Sequence, residues 1–161
     1  MFNLSELKIQ KNKRKGIWFY GLAGSGKTFA SKICKKKVKN YFIIDGHNIR
    51  KLISYDLGYT EADRIIQLKR VLGLIKLSIE NKRFPIVTTV TMNEEIYNKC
   101  LKKDVEVVEI MRPFEQIAQI RSIYKNDSNV VGKDIKQTSI NNLKIFNNGT
   151  STFEDEIEKL F

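Results

Sequence analysis

The chain has 161 residues, the size of one ordinary domain with its own hydrophobic core. Hydrophobic residues make up 42% of it, and no apolar run approaches the roughly 18 residues that a membrane-spanning helix needs. Residues 1–15 are polar and basic without the apolar segment of a signal peptide, so we expect a cytoplasmic protein with no membrane partner. The two cysteines, Cys34 and Cys100, fit neither a disulfide framework nor a metal-ligand spacing, and we expect free packing thiols.

The formal net charge is +11, from 29 basic and 18 acidic side chains. Such a charge suits a nucleic-acid surface, a site for polyanionic substrates or dispersed solvated lysines. The lysines along the first predicted helix are too dense to share one face: Lys32, Lys35, Lys36, Lys37 and Lys39. That density favours solvated lysines. Because no RNA- or DNA-binding motif accompanies them, nucleic acid is disfavoured as a partner.

Short apolar runs and helical segments alternate along the chain after a basic lead-in at residues 1–15, which we expect to be frayed or loosely docked. The apolar runs predict buried strands at 17–20, 41–44, 86–90 and 105–110. The other segments predict helices at 27–37, 48–54, 93–101 and 154–160, a helix that starts at Thr60 and one opened by Pro113. The predicted elements therefore follow an alternating strand–helix order.

The helix after Thr60 is the best marked of these elements. Thr60 and Asp63 form a start that resembles a capping box. An apolar stripe with spacings of three and four residues follows at Ile65, Leu68, Leu72, Ile75 and Ile79. We therefore expect one face of this helix to be buried.

Strands that alternate with helices and are apolar along their whole length are typical of a parallel sheet covered on both faces. We expect an α/β fold with about five strands, and a single domain over residues 1–161 without internal repeats. Residues 126–133 are polar and turn-prone, which predicts a mobile lid within the segment 121–135.

A phosphate-binding loop lies between the first predicted strand and the first predicted helix. Its residues match G-x-x-x-x-G-K-[ST] in full: Gly21, Leu22, Ala23, Gly24, Ser25, Gly26, Lys27 and Thr28. Glycines let successive backbone N–H groups point at phosphate oxygens, at the positive end of the following helix. Lys27 would reach the β- and γ-phosphates of ATP, and the Thr28 hydroxyl would be a ligand for Mg²⁺. The sequence therefore predicts a P-loop NTPase fold that binds ATP and Mg²⁺.

Asp45 ends the second predicted strand, at the same sheet edge as Gly21. A carboxylate there could hold Mg²⁺ through water or accept a proton from an attacking hydroxyl, although an Asp-Gly turn alone would also explain the residue. His47 is a further catalytic candidate, and the Arg50 guanidinium could bind an anionic substrate. Both could equally be solvated helix residues.

Further ordered motifs follow the P-loop: Asp45-Gly46-His47-Asn48-Ile49-Arg50, then Asp56-Leu57-Gly58-Tyr59 with Asp63-Arg64. The set resembles the D-G-D-N-[IV]-R and D-L-G-[FY]…D-R of the adenylylsulfate kinases. These P-loop enzymes phosphorylate the ribose 3′-hydroxyl of adenosine 5′-phosphosulfate. The similarity runs in order from about residue 17 to residue 134, and a generic P-loop kinase would not carry this set.

The resemblance implies roles for individual side chains. Asp45 would be a metal-associated or base carboxylate, Arg50 and Arg64 would grip the anionic end of the substrate, and Tyr59 would stack on its base. The other positions implied to contact the substrate are Arg121 and Tyr124, near the family's K-G-L-Y segment, and Gln67. The family often dimerises, so the resemblance leaves a homodimer open.

The chain also departs from the family's pattern. His47 stands at the second Asp of D-G-D, and Gln67 at the Asn of D-R-x-E-N-x-R-R. The family's I-S-P-Y is changed at residues 90–93, and its lid motif F-T-G-I-D-D-P-Y-E shrinks to residues 130–135. The ATP side is kept while the acceptor side is altered, which indicates a changed acceptor.

One relative of the adenylylsulfate kinases has such a changed acceptor: some bacteria use it on cytidine diphosphoramidate, a capsule precursor. The leading hypothesis is therefore a kinase that transfers the terminal phosphate of ATP to the ribose 3′-hydroxyl of cytidine 5′-diphosphoramidate. The alternatives are an adenylylsulfate kinase, a basic P-loop NTPase that acts on nucleic acid, and a non-catalytic ATP-binding regulator.

Overall fold

A five-stranded parallel sheet forms the centre of the computed structural model, which describes residues 1–161. The strands are β1 (Gly16–Tyr20), β2 (Tyr41–Asp45), β3 (Phe84–Thr89), β4 (Val105–Met111) and β5 (Leu143–Phe146). Their order across the sheet is β2-β3-β1-β4-β5, and every neighbouring pair is parallel. The predicted α/β class is confirmed, and β1 lies in the middle of the sheet.

Helices cover both faces of this sheet. They are α1 (Lys27–Lys37), α2 (Gly46–Leu52), α3 (Glu61–Glu80), α4 (Glu94–Leu101), α5 (Phe114–Ile120), α6 (Ile123–Asn126) and α7 (Ser151–Glu158). Two short 3-10 turns, Leu4–Glu6 and Lys11–Lys13, precede β1. No helix in the structure combines the length and the apolar character needed to cross a membrane.

Alternating side chains of β1 supply both halves of the core, because successive residues of a strand point to opposite faces. Trp18 and Tyr20 belong to one cluster, which includes residues of α3 and α4. Ile17 and Phe19 belong to a second cluster, which includes residues of α1 and α7. All four side chains are fully buried, as a central parallel strand requires.

The start of α3 agrees with its sequence signature. The Thr60 hydroxyl accepts the Asp63 N–H, and the Asp63 carboxylate accepts the Thr60 N–H, so the capping box is complete. The predicted apolar stripe is buried from Leu68 to Ile75, whereas Ile65 near the helix start is exposed. The capping box therefore fixes where α3 begins, and the middle turns of α3 pack against the sheet.

Strand β5 was not located from the sequence. It has only four residues, and one of them is Lys144, so it lacks the continuous apolar run that revealed the other strands. Its pairing with β4 supplies the backbone partners that a short edge strand needs. The expected total of about five strands is nevertheless confirmed.

The lead-in at residues 1–15, expected to be frayed or loosely docked, is docked against the domain, so only the frayed alternative is wrong. Phe2 and Ile9 are buried, and the Ile9 N–H donates to the Glu106 carboxylate of β4 at 2.9 Å. Arg14 donates to the Leu160 carbonyl at 2.7 Å and lies 3.9 Å from Glu106. Two buried apolar side chains and a buried charge pair therefore hold a segment whose composition is polar.

Replacing Glu106 should test how far this docking stabilises the domain. Glu106 is fully buried, and burial raises the pKa of its carboxyl group. Glu106→Ala would remove the acceptor of the Ile9 N–H and the negative charge beside the buried Arg14 guanidinium, so we expect the free energy of unfolding to fall by about 3 kcal/mol in urea titrations. The control is Glu80→Ala at an exposed position near the end of α3, with a change within about 0.5 kcal/mol. Equal effects of the two variants would contradict this account of the lead-in.

Candidate active site

The P-loop joins the carboxyl end of the central strand β1 to the first turn of α1, where the sequence placed it. Its backbone needs glycine at both ends. Gly21 has φ 148°, and a Cβ there would lie 2.2 Å from the Ile110 carbonyl oxygen of β4. Gly26 has φ 113° as the N-cap of α1, and a Cβ there would lie 2.5 Å from the Asn147 amide. Neighbouring chain and backbone dihedral thus both exclude a side chain at these positions.

The carbonyl groups of the loop are held by donors from other parts of the chain. The Tyr124 hydroxyl donates to the Ala23 carbonyl at 2.9 Å, and the Asn147 amide donates to the Ser25 carbonyl at 2.8 Å. Arg112 makes a longer contact of 3.5 Å with the Gly24 carbonyl. Protein donors thus hold the backbone of the loop, whose N–H groups are the ones that bind phosphate oxygens in a nest.

Lys27 lies folded over the loop. Its ammonium group donates to the carbonyls of Gly21 and Leu22, each at 2.7 Å. Burial above all, and the nearby Arg121 guanidinium next, lower the pKa of Lys27 to about 7, while the Asp45 carboxylate acts in the opposite direction. A triphosphate in the loop would replace these carbonyls as the partner of the ammonium group and would favour its charged form.

The residues predicted to hold Mg²⁺ are Thr28 and Asp45. Thr28 is exposed in the first turn of α1, so its hydroxyl is accessible to a ligand. The chain contains no group of three or more His, Cys, Asp or Glu side chains that could hold a metal ion by itself. One hydroxyl and one carboxylate fit Mg²⁺, which usually takes one or two protein oxygens and completes its shell with phosphate oxygens and water.

Asp45 caps helix α2 as well as ending β2. One carboxylate oxygen accepts the N–H groups of His47 at 3.1 Å and Asn48 at 3.2 Å, and the other accepts the Thr88 hydroxyl at 2.7 Å. Thr88 is the register partner of Asp45 on β3. The cap explains why α2 begins at Gly46, two residues before the predicted start. The carboxylate is therefore fixed at the carboxyl edge of the sheet, where its charge reaches Lys27.

His47 is exposed in the first turn of α2, and its ring makes no hydrogen bond in the structure. Only its backbone N–H is engaged, by Asp45. His47 is therefore close to Asp45 in the sequence, but the Asp45 carboxylate does not orient the His47 imidazole. Its catalytic role stays a prediction.

Arg50, Tyr59 and Arg64 form one cluster. The two guanidinium groups lie over the Tyr59 ring, at 4.4 Å and 5.6 Å from its centroid. Arg50 also donates to the Gly58 carbonyl, and Arg64 donates to the carbonyls of Tyr59 at 3.1 Å and Asn129 at 2.7 Å. Burial lowers the pKa of both arginines, and the charge of Arg50 lowers that of Arg64. Two guanidinium groups this close together could bind the same anionic ligand.

Gln67 lies one helical turn after Arg64 on α3. It is 5% exposed, and its amide nitrogen donates to the Gly46 carbonyl at 3.2 Å. Its amide oxygen is buried and has no hydrogen-bond partner. The sequence placed this residue on the acceptor side, and the structure puts it beside the residue that follows Asp45.

The predicted lid, residues 121–135, packs over the P-loop. Tyr124 and Val130 form a small apolar cluster with Ile117, and Leu22 and Ala23 of the loop pack against it. Arg121 is exposed, and its side chain lies above Gly24, where a Cβ would be 3.0 Å from the Arg121 Cγ. The lid segment thus places one arginine over the phosphate-binding loop. Its mobility stays a prediction.

Tyr124 has a different setting from the one that the resemblance implied. It is buried, its ring packs edge-on against Phe114, and its hydroxyl is bound to the P-loop. These contacts give Tyr124 a place in the support of the loop. Contact with a substrate stays a prediction for this residue.

Sequence reasoning missed the loop supports Asn147 and Arg112 and the Asp45 partner Thr88. Asn147 follows β5, where Asn147-Asn148-Gly149 is a turn signal that could have ended a predicted strand. Nothing local in the sequence indicates that the Asn147 amide reaches Ser25. The contact arises only because β5 pairs with β4, beside β1.

Comparison with known proteins decides the family of this site. The family model described as adenylylsulphate kinase matches residues 13–144, most of the chain. The chain belongs to the adenylylsulphate kinase family. The prediction of a kinase is thereby confirmed at the level of the family, whose members use ATP.

A cytidine diphosphoramidate kinase from Campylobacter jejuni is 30% identical in an alignment that covers 92% of this chain and 95% of that enzyme. The bifunctional enzyme NodQ of Rhizobium sp. (strain N33) is 34% identical over 118 residues. That match covers 68% of this chain but only 18% of NodQ, so the chain spans about a fifth of the length of these bifunctional relatives.

The fold of this adenylylsulphate kinase family member is also found among solved structures. The Mycobacterium tuberculosis APS kinase CysC, solved in complex with AMPPNP and APS, superposes with a TM-score of 0.77. The match covers 91% of this chain and 95% of CysC at 21% identity. The architecture is therefore shared, while four residues in five differ.

Proton uptake should accompany ATP binding at pH 8. At this pH most Lys27 is neutral in the free protein, since its pKa is about 7, and the triphosphate would raise that pKa. We expect isothermal titration with Mg-ATP in buffers of different ionisation enthalpy to show uptake of most of one proton. Lys32→Ala, at an exposed position of the same helix, should keep the uptake, and Lys27→Arg should lose it. Uptake that persists in Lys27→Arg would refute the assignment to Lys27.

Tyr124→Phe should separate loop support from substrate contact. The ring and its packing stay, but the Ala23 carbonyl loses its donor, so we expect the KM for ATP to rise about fivefold. The KM for the acceptor should change less than about twofold. Tyr97→Phe is the control, because its hydroxyl donates to Asn141 outside the loop. A rise confined to the KM of the acceptor would instead support the substrate contact implied by the resemblance.

Proposed function

We propose that this protein is an ATP-dependent kinase that phosphorylates the ribose 3′-hydroxyl of cytidine 5′-diphosphoramidate. The observation that carries the proposal is the match to the Campylobacter jejuni cytidine diphosphoramidate kinase, which extends over nearly the whole length of both chains. The bifunctional relatives match over a small part of their length only. The extent of the match and the order of the motifs therefore favour the cytidine compound as the acceptor.

ATP would bind with its phosphates in the P-loop and its terminal phosphate beside Lys27. The Thr28 hydroxyl and, through water, the Asp45 carboxylate would hold Mg²⁺. When bound, Mg²⁺ supplies positive charge that neutralises the β- and γ-phosphates. Lys27 would leave the carbonyls of Gly21 and Leu22 and donate to the phosphates instead. Arg121, which lies over Gly24, would offset charge that develops on the transferred group.

The acceptor would lie across the carboxyl edge of the sheet. Arg50 and Arg64 would bind its anionic end, and Tyr59, which is half exposed, offers a ring face for its base. Asp45 would orient the 3′-hydroxyl for in-line attack on the terminal phosphorus and accept its proton. Phosphoryl transfer needs little covalent assistance, so positioning and charge neutralisation carry most of the rate.

Residues on the proposed acceptor side also favour a substrate other than adenosine 5′-phosphosulfate. His47 and Gln67 replace an acidic and an amide residue of the family's pattern, next to Asp45 and Arg64 respectively. Adenylylsulfate kinase activity is the second candidate, because the family model that matches residues 13–144 carries that description. The two candidates differ in base and in terminal group, and both use the same P-loop.

A panel of acceptors would test the proposal directly. The protein is incubated with γ-labelled ATP and with cytidine 5′-diphosphoramidate or adenosine 5′-phosphosulfate, and the new phosphate is located by ³¹P NMR. We expect a 3′-phosphate on the cytidine compound at a kcat/KM at least about tenfold above that of the adenosine compound. Preference for the adenosine compound would support the second candidate. ATP binding without transfer to either would refute both.

Two variants should distinguish the residues that act on ATP from those that bind the acceptor. Lys27→Ala should lower kcat at least about a hundredfold with every acceptor, because it removes a donor to the transferred phosphate. Arg64→Ala should raise the KM of the acceptor about tenfold or more and change ATP affinity little. ATP affinity is measured by titration with a non-hydrolysable analogue. Equal loss of ATP affinity in both variants would count against these roles.

A further inference from the structure

Thr88 lies near the carboxyl end of β3, in register with Asp45 of β2. It is 4% exposed, and its hydroxyl oxygen lies 2.7 Å from one oxygen of the Asp45 carboxylate. An ionised carboxylate can only accept, so the Thr88 hydroxyl is the donor of this hydrogen bond. The bond joins the side chains of two neighbouring strands, in addition to the backbone pairing of the sheet.

The two oxygens of the Asp45 carboxylate are held by different elements. Oδ1 accepts the N–H groups of His47 and Asn48 in the first turn of α2, whereas Oδ2 accepts the Thr88 hydroxyl. A carboxylate has about four acceptor positions, two on each oxygen. Oδ1 is therefore fully occupied, and the acceptor position that remains open is on Oδ2, the oxygen that Thr88 holds.

Capping of α2 accounts for only one of these two oxygens. A helix N-terminus is capped by a side-chain oxygen that accepts from the first free N–H groups, and Oδ1 supplies that cap without Thr88. The Thr88 hydroxyl holds the second oxygen and so restricts rotation of the carboxylate about its bond to Cβ. The contact between Thr88 and Asp45 thus fixes an orientation that the helix cap alone does not require.

The backbone beside this contact is closely packed. Gly46 follows Asp45, and a Cβ at Gly46 would lie 2.9 Å from the Thr88 carbonyl oxygen. The step from β2 into α2 therefore lies against the end of β3 without room for a side chain between them. This packing keeps Asp45 and Thr88 at a fixed separation, so a directional hydrogen bond between them can persist.

We infer that Thr88 is a positioning residue for phosphoryl transfer, because its hydroxyl holds Asp45 with the open position of Oδ2 directed to the 3′-hydroxyl of the acceptor. The inference rests on the proposed function, in which Asp45 orients that hydroxyl. In the transfer step the 3′-oxygen bonds to the γ-phosphorus of ATP, the bond from that phosphorus to the bridging oxygen of ADP breaks, and the hydroxyl proton passes to Oδ2. A rotated carboxylate would misalign the attacking oxygen, and small misalignments slow such reactions strongly.

Two substitutions separate the Thr88 hydroxyl from the shape of the side chain. Thr88→Val keeps the branched shape without a donor, and Thr88→Ser keeps the donor without the methyl group. Thr88→Val should lower the single-turnover rate at saturating substrates about tenfold or more. Thr88→Ser should stay within about threefold of the wild type. Calorimetric Kd values for a non-hydrolysable ATP analogue and for the acceptor should change less than about twofold in both variants, because the inference places neither substrate in contact with Thr88.

Thr89→Val is the matched control on the same strand. The buried Thr89 hydroxyl accepts the Trp18 indole N–H at 2.8 Å and donates to the Thr91 carbonyl at 2.8 Å. It makes no hydrogen bond to Asp45. Because Thr89→Val removes two buried hydrogen bonds, we expect it to unfold at a lower urea concentration than Thr88→Val, yet to keep the single-turnover rate within about twofold. Equal losses of rate in both variants would overturn the inference, since a loosened strand end would then explain them.

A purely structural role of Thr88 predicts a different pattern. Thr88→Val would then unfold at a lower urea concentration but transfer phosphate at the wild-type rate, and this result would overturn the inference. A loss of rate in Thr88→Ser as large as that in Thr88→Val would also overturn it, because serine retains the donor.

The choice of acceptor keeps the inference separate from the proposed function. If the wild type phosphorylates cytidine 5′-diphosphoramidate and Thr88→Val keeps its rate, only the inference fails. If the wild type phosphorylates adenosine 5′-phosphosulfate instead, the proposed acceptor is wrong, and the tenfold loss in Thr88→Val is then expected with the adenosine compound. If the wild type transfers phosphate to neither compound, the proposed function fails and the inference fails with it.

Discussion

The hydrogen bonds to the P-loop carbonyls are the interaction on which the rest of the site depends. Carbonyls from Gly21 to Ser25 are occupied by side chains of residues far apart in the chain, including Tyr124 and Asn147. These donors hold the backbone of the loop in place, and a phosphate-binding nest depends on such a fixed backbone. The lid segment and the residue after β5 therefore contribute to the shape of the loop together with the loop's own glycines.

The proposed site has two sides, one built on the central strand and one at the edge of the sheet. The ATP side is built on the central strand and is fixed by buried contacts with β4 and α7. The acceptor side is built from the edge strand β2, α2 and the first turns of α3, where arginine side chains donate to carbonyls of neighbouring turns. His47 and Gln67, two of the departures from the family's pattern, both lie on this second side.

Local patterns revealed much of this fold, because the P-loop, the capping box at Thr60 and the strand-ending Asp45 each obey short-range rules. The family's motifs further implied the cluster of Arg50 and Arg64. Three features of the structure could not be predicted from the sequence. Strand β5 is too short and too polar to be periodic, the lead-in is docked by two buried residues that its basic composition conceals, and the Asn147 contact depends on strand pairing. The free oxygen of Gln67 is likewise a property of tertiary packing, because the same glutamine on a solvated face would be satisfied by water.

The close approach of Gly21 to Ile110 distinguishes a structural requirement of the P-loop from a functional one. A methyl group at Gly21 would collide with the backbone of β4, whether or not a nucleotide is present. Its requirement thus comes from the architecture of the sheet, and a variant at this position would report on folding. An inactive protein for use in cells or in crystals should instead carry its change at Lys27, whose side chain bonds only to the loop itself and can be removed without disturbing the strands.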